Sequence, residues 1–203
     1  NKFKKKKKKK MKTNSLSKLS IILLSISGIG LVISIFVPIW AIYLEAPQYP
    51  EGLGMFLHAN KITGDYEIIN GLNHYIGMKT IHQEDFWEFK VLPYALGFFA
   101  VLAFLFAFLK KKWGLYFFTA LFLLFGIAFM VDFWLWEYDY GHNLNPNAPI
   151  IVPGMSYQPP LLGFKQLLNF GAYSYPDVGG WIMFAVGIIS LVLSVLEFKS
   201  SKK

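Results

Sequence analysis

The stretch WGLYFFTALFLLFGIAFMVDFWLW, residues 113–136, decides the fold, because Asp132 is its only charged residue. A helix that crosses a hydrocarbon core of about 30 Å needs roughly 17–25 predominantly apolar residues. Three further apolar stretches reach that length, at Leu19–Trp40, Val91–Leu109 and Trp181–Phe198. The sequence therefore predicts an all-α integral membrane protein with four transmembrane helices.

The composition of the whole chain agrees with a membrane protein. Hydrophobic residues make up 55% of the 203 residues and the mean hydropathy is +0.42, whereas apolar usage in soluble domains is roughly 45–50%. Cysteine is absent. Disulfides, thiolate metal sites and a cysteine nucleophile are therefore excluded.

The lysines are segregated along the chain. The basic tail 1–18, the short turn 110–112 and the tail 199–203 together hold 16 of the 20 lysines. The two long connections, residues 41–90 and 137–180, hold four lysines and ten acidic residues. Because lysine-rich flanks stay in the cytoplasm, we expect a multi-pass protein of the cytoplasmic membrane with both termini inside and both long connections outside.

The oligolysine segment 4–10 explains much of the formal charge of +8. We interpret it as a disordered cytoplasmic tail that reinforces the orientation. For the protein as a whole we expect membrane lipid, and not nucleic acid, as a partner. A role of this segment in binding nucleic acid or anionic lipid is the less favoured alternative.

The first long connection is predicted to form a small β-hairpin and a short helix. Residues 54–59 and 66–69 are typical of strands and 61–65 of the turn between them, and residues 71–81 have a helical pattern. A structureless loop of this length is uncommon in compact proteins. The connection is therefore expected to fold as a small extracytoplasmic domain.

The predicted helix in this connection carries candidate metal ligands. His74, Met78 and His82 follow a spacing of i, i+4 and i+8, which places them on one helical face, and His58 and Met55 from the hairpin complete the set. Thioether and imidazole ligands together suit Cu(I). Alternatively, the methionines fill apolar space and the histidines are exposed or hydrogen-bonding residues.

The second long connection contains six prolines, which favour an extended path. Its apolar stretch Leu161–Tyr175 is too short to cross a membrane, and we predict an interfacial helix there.

Two carboxylates lie within or beside the predicted spans. Asp132 is a candidate functional residue, or else a solvated carboxylate at the outer rim of the membrane. Glu197 is expected to reach water beside Lys199 in a structural role.

Three strings carry a family resemblance: Pro38-Ile-Trp, Leu44-Glu-Ala-Pro-Gln-Tyr-Pro-Glu-Gly-Leu-Gly54 and Ile69-Asn-Gly-Leu-Asn-His-Tyr-Ile-Gly-Met78. They resemble a family of small bacterial four-helix membrane proteins encoded near nitrous-oxide-reductase maturation genes, beside the NosL-type copper chaperone. The resemblance implies a bacterial inner membrane and a setting of copper-enzyme assembly. His74 and Met78 fall within the matching strings.

These observations favour a membrane-anchored accessory protein that handles copper at the extracytoplasmic face, for assembly of an exported copper enzyme such as nitrous-oxide reductase. The alternative is a non-catalytic structural subunit whose outer loops dock on protein partners. A third hypothesis is a membrane enzyme that uses Asp132 and His142. The sequence contains no P-loop, dinucleotide-binding fingerprint or catalytic triad motif, so we predict that the protein is not an enzyme.

Overall fold

The computed structural model describes residues 14–202, so the oligolysine segment 4–10 lies outside the described residues. Within residues 14–202 there are five helices: α1 (Lys18–Ser34), α2 (Tyr66–Ile76), α3 (Glu88–Leu109), α4 (Lys112–His142) and α5 (Val178–Lys202). Five strands accompany them: β1 (Trp40–Ala46), β2 (Tyr49–Leu57), β3 (Ile62–Gly64), β4 (Gly163–Leu167) and β5 (Phe170–Pro176). A 3-10 turn covers Gln83–Asp85.

The helices α1, α3, α4 and α5 form a bundle around one apolar core. Leu24, Leu96, Phe118 and Leu193, one from each helix, are buried in that core. By length and composition, α3, α4 and α5 could each cross a membrane, while α1, at 17 residues, is shorter. The structure thus supplies three long candidate spans where the sequence predicts four.

The outside of the bundle is also apolar. Large hydrophobic side chains point away from the core on α3 (Val101, Phe108), on α4 (Leu124) and on α5 (Ile188), and Phe108 is 80% exposed. A helix that is apolar on both its inner and its outer face fits a lipid environment and not a water-facing surface.

The first helix ends earlier than the sequence predicts. The span Leu19–Trp40 was expected to be continuous, but α1 stops at Ser34 and Trp40 is the first residue of β1. Pro38 explains the difference, because the residue before a proline is pushed out of the helical region towards extended geometry. The chain therefore passes directly from the bundle into the sheet.

Both long connections contribute to one antiparallel sheet with the strand order β3-β2-β1-β5-β4. Trp40 at the start of β1 pairs with Leu57 of β2 on one side and with Pro176 of β5 on the other. The indole of Trp40 donates a hydrogen bond to Ser174 Oγ at 2.7 Å. The predicted all-α class is therefore corrected to a mixed α/β fold. A hairpin is present in the first connection, but its second strand is β3, at residues predicted as the turn.

Two local predictions are wrong for identifiable reasons. The predicted interfacial helix Leu161–Tyr175 is the β4–β5 hairpin, where burial alternates along the strand: Ala172 and Ser174 are buried and Tyr173 and Tyr175 are less so. This period of two is the pattern of a strand. The predicted strand at 66–69 is instead the first turn of α2.

The end of the bundle opposite the sheet, which we call the lysine end, holds a buried ion pair. Lys112 Nζ lies 3.2 Å from Glu197 Oε2, and both side chains are only 5% exposed. The Ser20 hydroxyl and the Ser17 backbone N–H donate to Glu197 Oε1 at 2.6 and 2.8 Å. The expectation that Glu197 reaches water beside Lys199 is therefore wrong, although its structural role stands.

Candidate functional site

A cavity of about 70 Å³ lies between the sheet, α2 and the last turns of α4. Its walls are almost entirely apolar, with Ile42 and Leu44 from β1, Met55 from β2 and Leu72 from α2. The sheet, α2 and the C-terminal turns of α4 form the part of the molecule that we call the sheet end. The cavity therefore lies at the sheet end, beside the C-terminal turns of the candidate span α4.

Glu137 is the acidic residue of this cavity. Helix α4 has 31 residues, about 46 Å at about 1.5 Å per residue, so its last turns extend past a core of about 30 Å into the sheet end. The Glu137 side chain is fully buried there, and neither carboxyl oxygen has a hydrogen-bond partner. Burial raises the pKa of Glu137 to about 8, although Lys165 partly opposes the shift.

Two more polar groups in the cavity wall lack partners. They are the hydroxyl of Tyr157, which is 1% exposed, and the indole Nε1–H of Trp136, which lies near the Tyr140 hydroxyl but forms no well-aligned hydrogen bond with it. Tyr157 is held against α4 because its backbone N–H donates to the Gly141 carbonyl at 2.8 Å. Buried polar groups are nearly always hydrogen-bonded, so three orphaned groups around one cavity indicate a site that takes up a polar ligand or ordered water.

The loop after α2 completes the cavity. Helix α2 is capped by Gly77, whose φ of +80° is a left-handed conformation that favours glycine. The buried Asn70 side chain then clamps the loop by donating to the Ile81 carbonyl at 2.9 Å and accepting from the Ile81 N–H at 2.7 Å. These contacts hold the intervening Met78 in the cavity wall.

The structure places the five predicted copper ligands in different parts of the molecule. Met55 and Met78 line the cavity, whereas His74 and His82 are exposed on the surface. The shared helical face proposed for 74, 78 and 82 is wrong, because α2 ends at Ile76. Among residues 14–202, no three histidine or acidic side chains converge to hold a metal ion. The copper prediction itself stays a prediction.

His58, the fifth predicted ligand, lines a different cavity of about 320 Å³ at the junction of the sheet and the bundle. Its Nε2 lies 3.0 Å from Thr63 Oγ1. Burial lowers the pKa of His58, and nearby Lys61 lowers it further. Asp132 and Glu88 line this second cavity as well.

His142, the other residue of the enzyme hypothesis, lies far from Asp132. It is ten residues further along α4, about 15 Å at about 1.5 Å per residue. Its ring stacks on Tyr138 with a centroid separation of 4.0 Å. The structure therefore does not bring Asp132 and His142 together.

Glu137 was missed by the sequence analysis, which ended the third span at Trp136 and assigned residue 137 to a loop. Its signal was the continuation of the aromatic pattern, because Trp136, Tyr138 and Tyr140 flank Glu137 in sequence on an uninterrupted helix. Neither Gly nor Pro interrupts α4 before Gly141 in that stretch. A helix that continues past the membrane can bury a charged residue in the domain beyond it.

No protein-family model, curated protein or solved structure matches this chain. Its function is therefore argued from the site itself.

Proposed function

We propose that the protein is a membrane-anchored, non-catalytic accessory protein that binds a small ligand in the Glu137 cavity at the extracytoplasmic face. The four helices of the bundle, α1 included, serve as the anchor, and the sheet end is the working part. Fully buried Glu137, with no partner for either carboxyl oxygen, is the observation that carries the proposal.

The proposed orientation is supported by the lysines. Lys110 to Lys112 and Lys199 lie at the lysine end, and the sheet end carries most of the acidic residues. Lysine-rich flanks are retained in the cytoplasm. The sheet end then faces the outside, where ligands and partners of exported proteins are found.

The orientation is testable by cysteine labelling, because the chain has no cysteine of its own. We expect Glu51→Cys, on exposed β2 at the sheet end, to react with a membrane-impermeant maleimide in intact cells. Lys199→Cys, at the lysine end, should react only after permeabilisation. The reverse pattern would contradict the proposed topology.

The energetic cost of the unpartnered polar groups in the cavity wall supports a binding role. A buried hydrogen-bonding group without a partner costs about 1–3 kcal/mol, and Glu137, Trp136 and Tyr157 each carry such a group. A fold held together only for stability gains nothing from these groups, since apolar side chains of similar shape would pack at lower cost. A ligand that satisfies them offsets the cost.

A matched pair of variants on α2 tests ligand binding. Leu72 lines the cavity, while Ile68, one turn earlier, is 40% exposed and lies outside it. We expect native mass spectrometry of the mildly extracted wild type and of Ile68→Trp to show a retained small molecule. Leu72→Trp should lose this small molecule. Thermal unfolding checks that the Leu72→Trp variant is folded. The same retained mass in both variants would exclude the cavity as the binding site.

Copper handling is a second candidate function, favoured by one observation. Met55 and Met78 line the same cavity, and thioether sulfur is a preferred ligand of Cu(I). In this version the accessory protein holds Cu(I) for an exported copper enzyme, in the setting that the resemblance of residues 38–78 implies.

A competition titration with a Cu(I) chelator tests this candidate. If the cavity sulfurs bind the ion, Met55→Leu combined with Met78→Leu should weaken Cu(I) binding at least about tenfold. His74→Ala combined with His82→Ala, which alters exposed imidazoles, is the matched control and should retain the affinity. Absence of Cu(I) binding in the wild type would remove this candidate and leave the ligand-binding proposal in place.

A further inference from the structure

We propose that the Glu137 cavity, resting on the ligand-binding function above, accepts a compact neutral molecule through a carbonyl oxygen. The inference follows from the hydrogen-bonding groups that the cavity presents and from the charges that it lacks. The cavity has a volume of about 70 Å³, and each water-sized atom needs about 10–15 Å³ of such volume. The cavity therefore has room for about five to seven non-hydrogen atoms of a ligand.

The Trp136 indole requires an acceptor. Its Nε1–H is buried, and the nearby Tyr140 hydroxyl is not placed to accept a well-aligned hydrogen bond from it; an indole nitrogen only donates hydrogen bonds. An alkylammonium group has donors but no acceptor, so it leaves Trp136 unsatisfied. A ligand that satisfies the cavity must therefore carry an acceptor atom.

Charge excludes an anionic ligand. None of the described residues that line the cavity is a lysine or histidine. The lysine that acts on Glu137, Lys165, is exposed and donates its Nζ–H to the Gln158 carbonyl at 2.9 Å. A carboxylate or phosphate would enter an apolar space beside a carboxyl group without a counter-charge, which is strongly unfavourable.

The remaining groups suit a carbonyl oxygen. Burial raises the pKa of Glu137 to about 8, so at neutral pH its carboxyl is protonated and can donate. Tyr157 supplies a further hydroxyl donor. A neutral carboxylic acid and an aromatic donor in an apolar site are a known way to bind an uncharged oxygen acceptor. The apolar walls from Ile42, Leu44 and Leu72 would enclose the rest of the ligand.

Three probes of similar size separate the possibilities. Cyclohexanone carries the carbonyl, methylenecyclohexane replaces its oxygen by CH₂, and cyclohexylammonium carries a charge instead. The full chain in lipid nanodiscs is labelled with ¹⁵N-tryptophan, and the Trp136 indole N–H resonance is assigned by its loss in Trp136→Phe. We expect cyclohexanone to shift this resonance downfield and to bind roughly tenfold more tightly than either other probe.

The pH dependence and the Glu137 variants sharpen the test. Cyclohexanone binding should weaken as pH rises above about 8, where Glu137 ionises and loses its O–H donor. Three other ionisable residues lie near Glu137: Tyr140, Tyr157 and Lys165. Burial raises the pKa of Tyr140 to about 12. Strands β1 and β2 and helix α2 line the cavity only with uncharged side chains.

Glu137→Gln keeps an N–H donor and should bind cyclohexanone without this pH dependence, whereas Glu137→Met should bind it roughly tenfold more weakly. Glu51→Gln, an exposed acid at the sheet end, is the control and should behave as wild type.

Each other outcome overturns a definite statement. Equal binding of cyclohexanone and methylenecyclohexane, or tighter binding of cyclohexylammonium, refutes the carbonyl inference but leaves the cavity as a binding site. A Glu137→Gln variant that no longer binds cyclohexanone also refutes the inference. If no probe shifts the Trp136 resonance while Leu72→Trp and wild type retain the same mass, the proposed binding function fails as well.

Discussion

Two buried glutamates, at opposite ends of the molecule, differ in their surroundings. At the lysine end, Glu197 contacts Lys112 Nζ at 3.2 Å and accepts hydrogen bonds from Ser20 and Ser17. At the sheet end, Glu137 is equally buried but neither of its oxygens has a partner. The first carboxylate joins three helices at one point, and the second is directed into a cavity.

The difference teaches how burial should be interpreted. A buried charge with a counter-ion and hydrogen bonds is compensated, and its removal leaves its partners unsatisfied. A buried carboxyl without partners is a cost to the fold, and such groups are concentrated at functional sites. The same residue type is therefore structural at position 197 and a candidate ligand-binding group at position 137.

The largest expected effect is at the lysine end. Lys112→Met keeps most of the apolar stem but leaves Glu197 without its cation, so we expect the free energy of unfolding to fall by about 3–5 kcal/mol. Chemical unfolding in mixed micelles measures it. The double variant Lys112→Met with Glu197→Leu should recover most of this loss. If the double variant is as unstable as Lys112→Met, Glu197 does not differ from Glu137 in the way proposed.

At the sheet end we expect the free energy of unfolding to depend on pH, because Glu137 is buried there without a counter-ion. The pKa of Glu137 rises from 4.5 to about 8 on folding, so its contribution is complete below pH 4.5 and is lost as pH rises towards 8. Relative to Glu137→Gln, the unfolding free energy of the wild type should fall by on the order of 1–3 kcal/mol between pH 5.5 and 8. Parallel pH curves for the two proteins would show that Glu137 is solvated.

A loss smaller than that of Lys112→Met is expected for one supporting hydrogen bond of Glu197. Ser20→Ala removes the hydroxyl that donates to Oε1 at 2.6 Å, and a hydrogen bond to a charged group contributes about 1.5–3 kcal/mol. Ser25→Ala on the same helix, whose hydroxyl donates only to the Ile21 carbonyl, is the control. Similar losses in both variants would remove the special role of the Glu197 cluster.

The smallest expected change in stability is an increase and not a loss. Glu137→Met replaces the unpartnered carboxyl by a flexible apolar side chain of similar length, so the variant should be about 1–2 kcal/mol more stable than the wild type at pH 7.5. Thermal unfolding measures the shift, and loss of the retained ligand should accompany it. A clearly destabilised variant would mean that Glu137 has a partner in the folded protein.

The sequence predicted parts of the fold well where one physical requirement dominates. Apolar length alone indicated α3, α4 and α5, since 18 or more consecutive residues that are mostly apolar are typical of a helix that crosses a membrane. The prediction failed at Leu161–Tyr175, where the apolar content indicated an interfacial helix. The segment instead forms β4 and most of β5, and β5 pairs with β1. Strand pairing between residues more than a hundred positions apart leaves no local signal of its own, because each strand only becomes stable beside its partner.

The candidate site was predictable only in fragments. Met55 and Met78 were identified for their sulfur, and both line the cavity, but the grouping with His74 and His82 relied on a helix that ends at Ile76. Glu137 was hidden because a carboxylate next to an apolar span usually marks the water interface. Its burial depends on the sheet and α2, which the chain supplies from elsewhere.

The sequence by itself determined the chemical environment of each segment: which stretches are apolar enough for lipid, which end carries the lysines, and that cysteine chemistry is absent. Only the tertiary structure decided that the two long connections share one sheet and that this sheet encloses Glu137 with Trp136 and Tyr157. Transfer between water and lipid depends on local composition and can be summed along the chain. Burial of a single carboxyl depends on which distant segments pack around it, and composition does not specify those contacts.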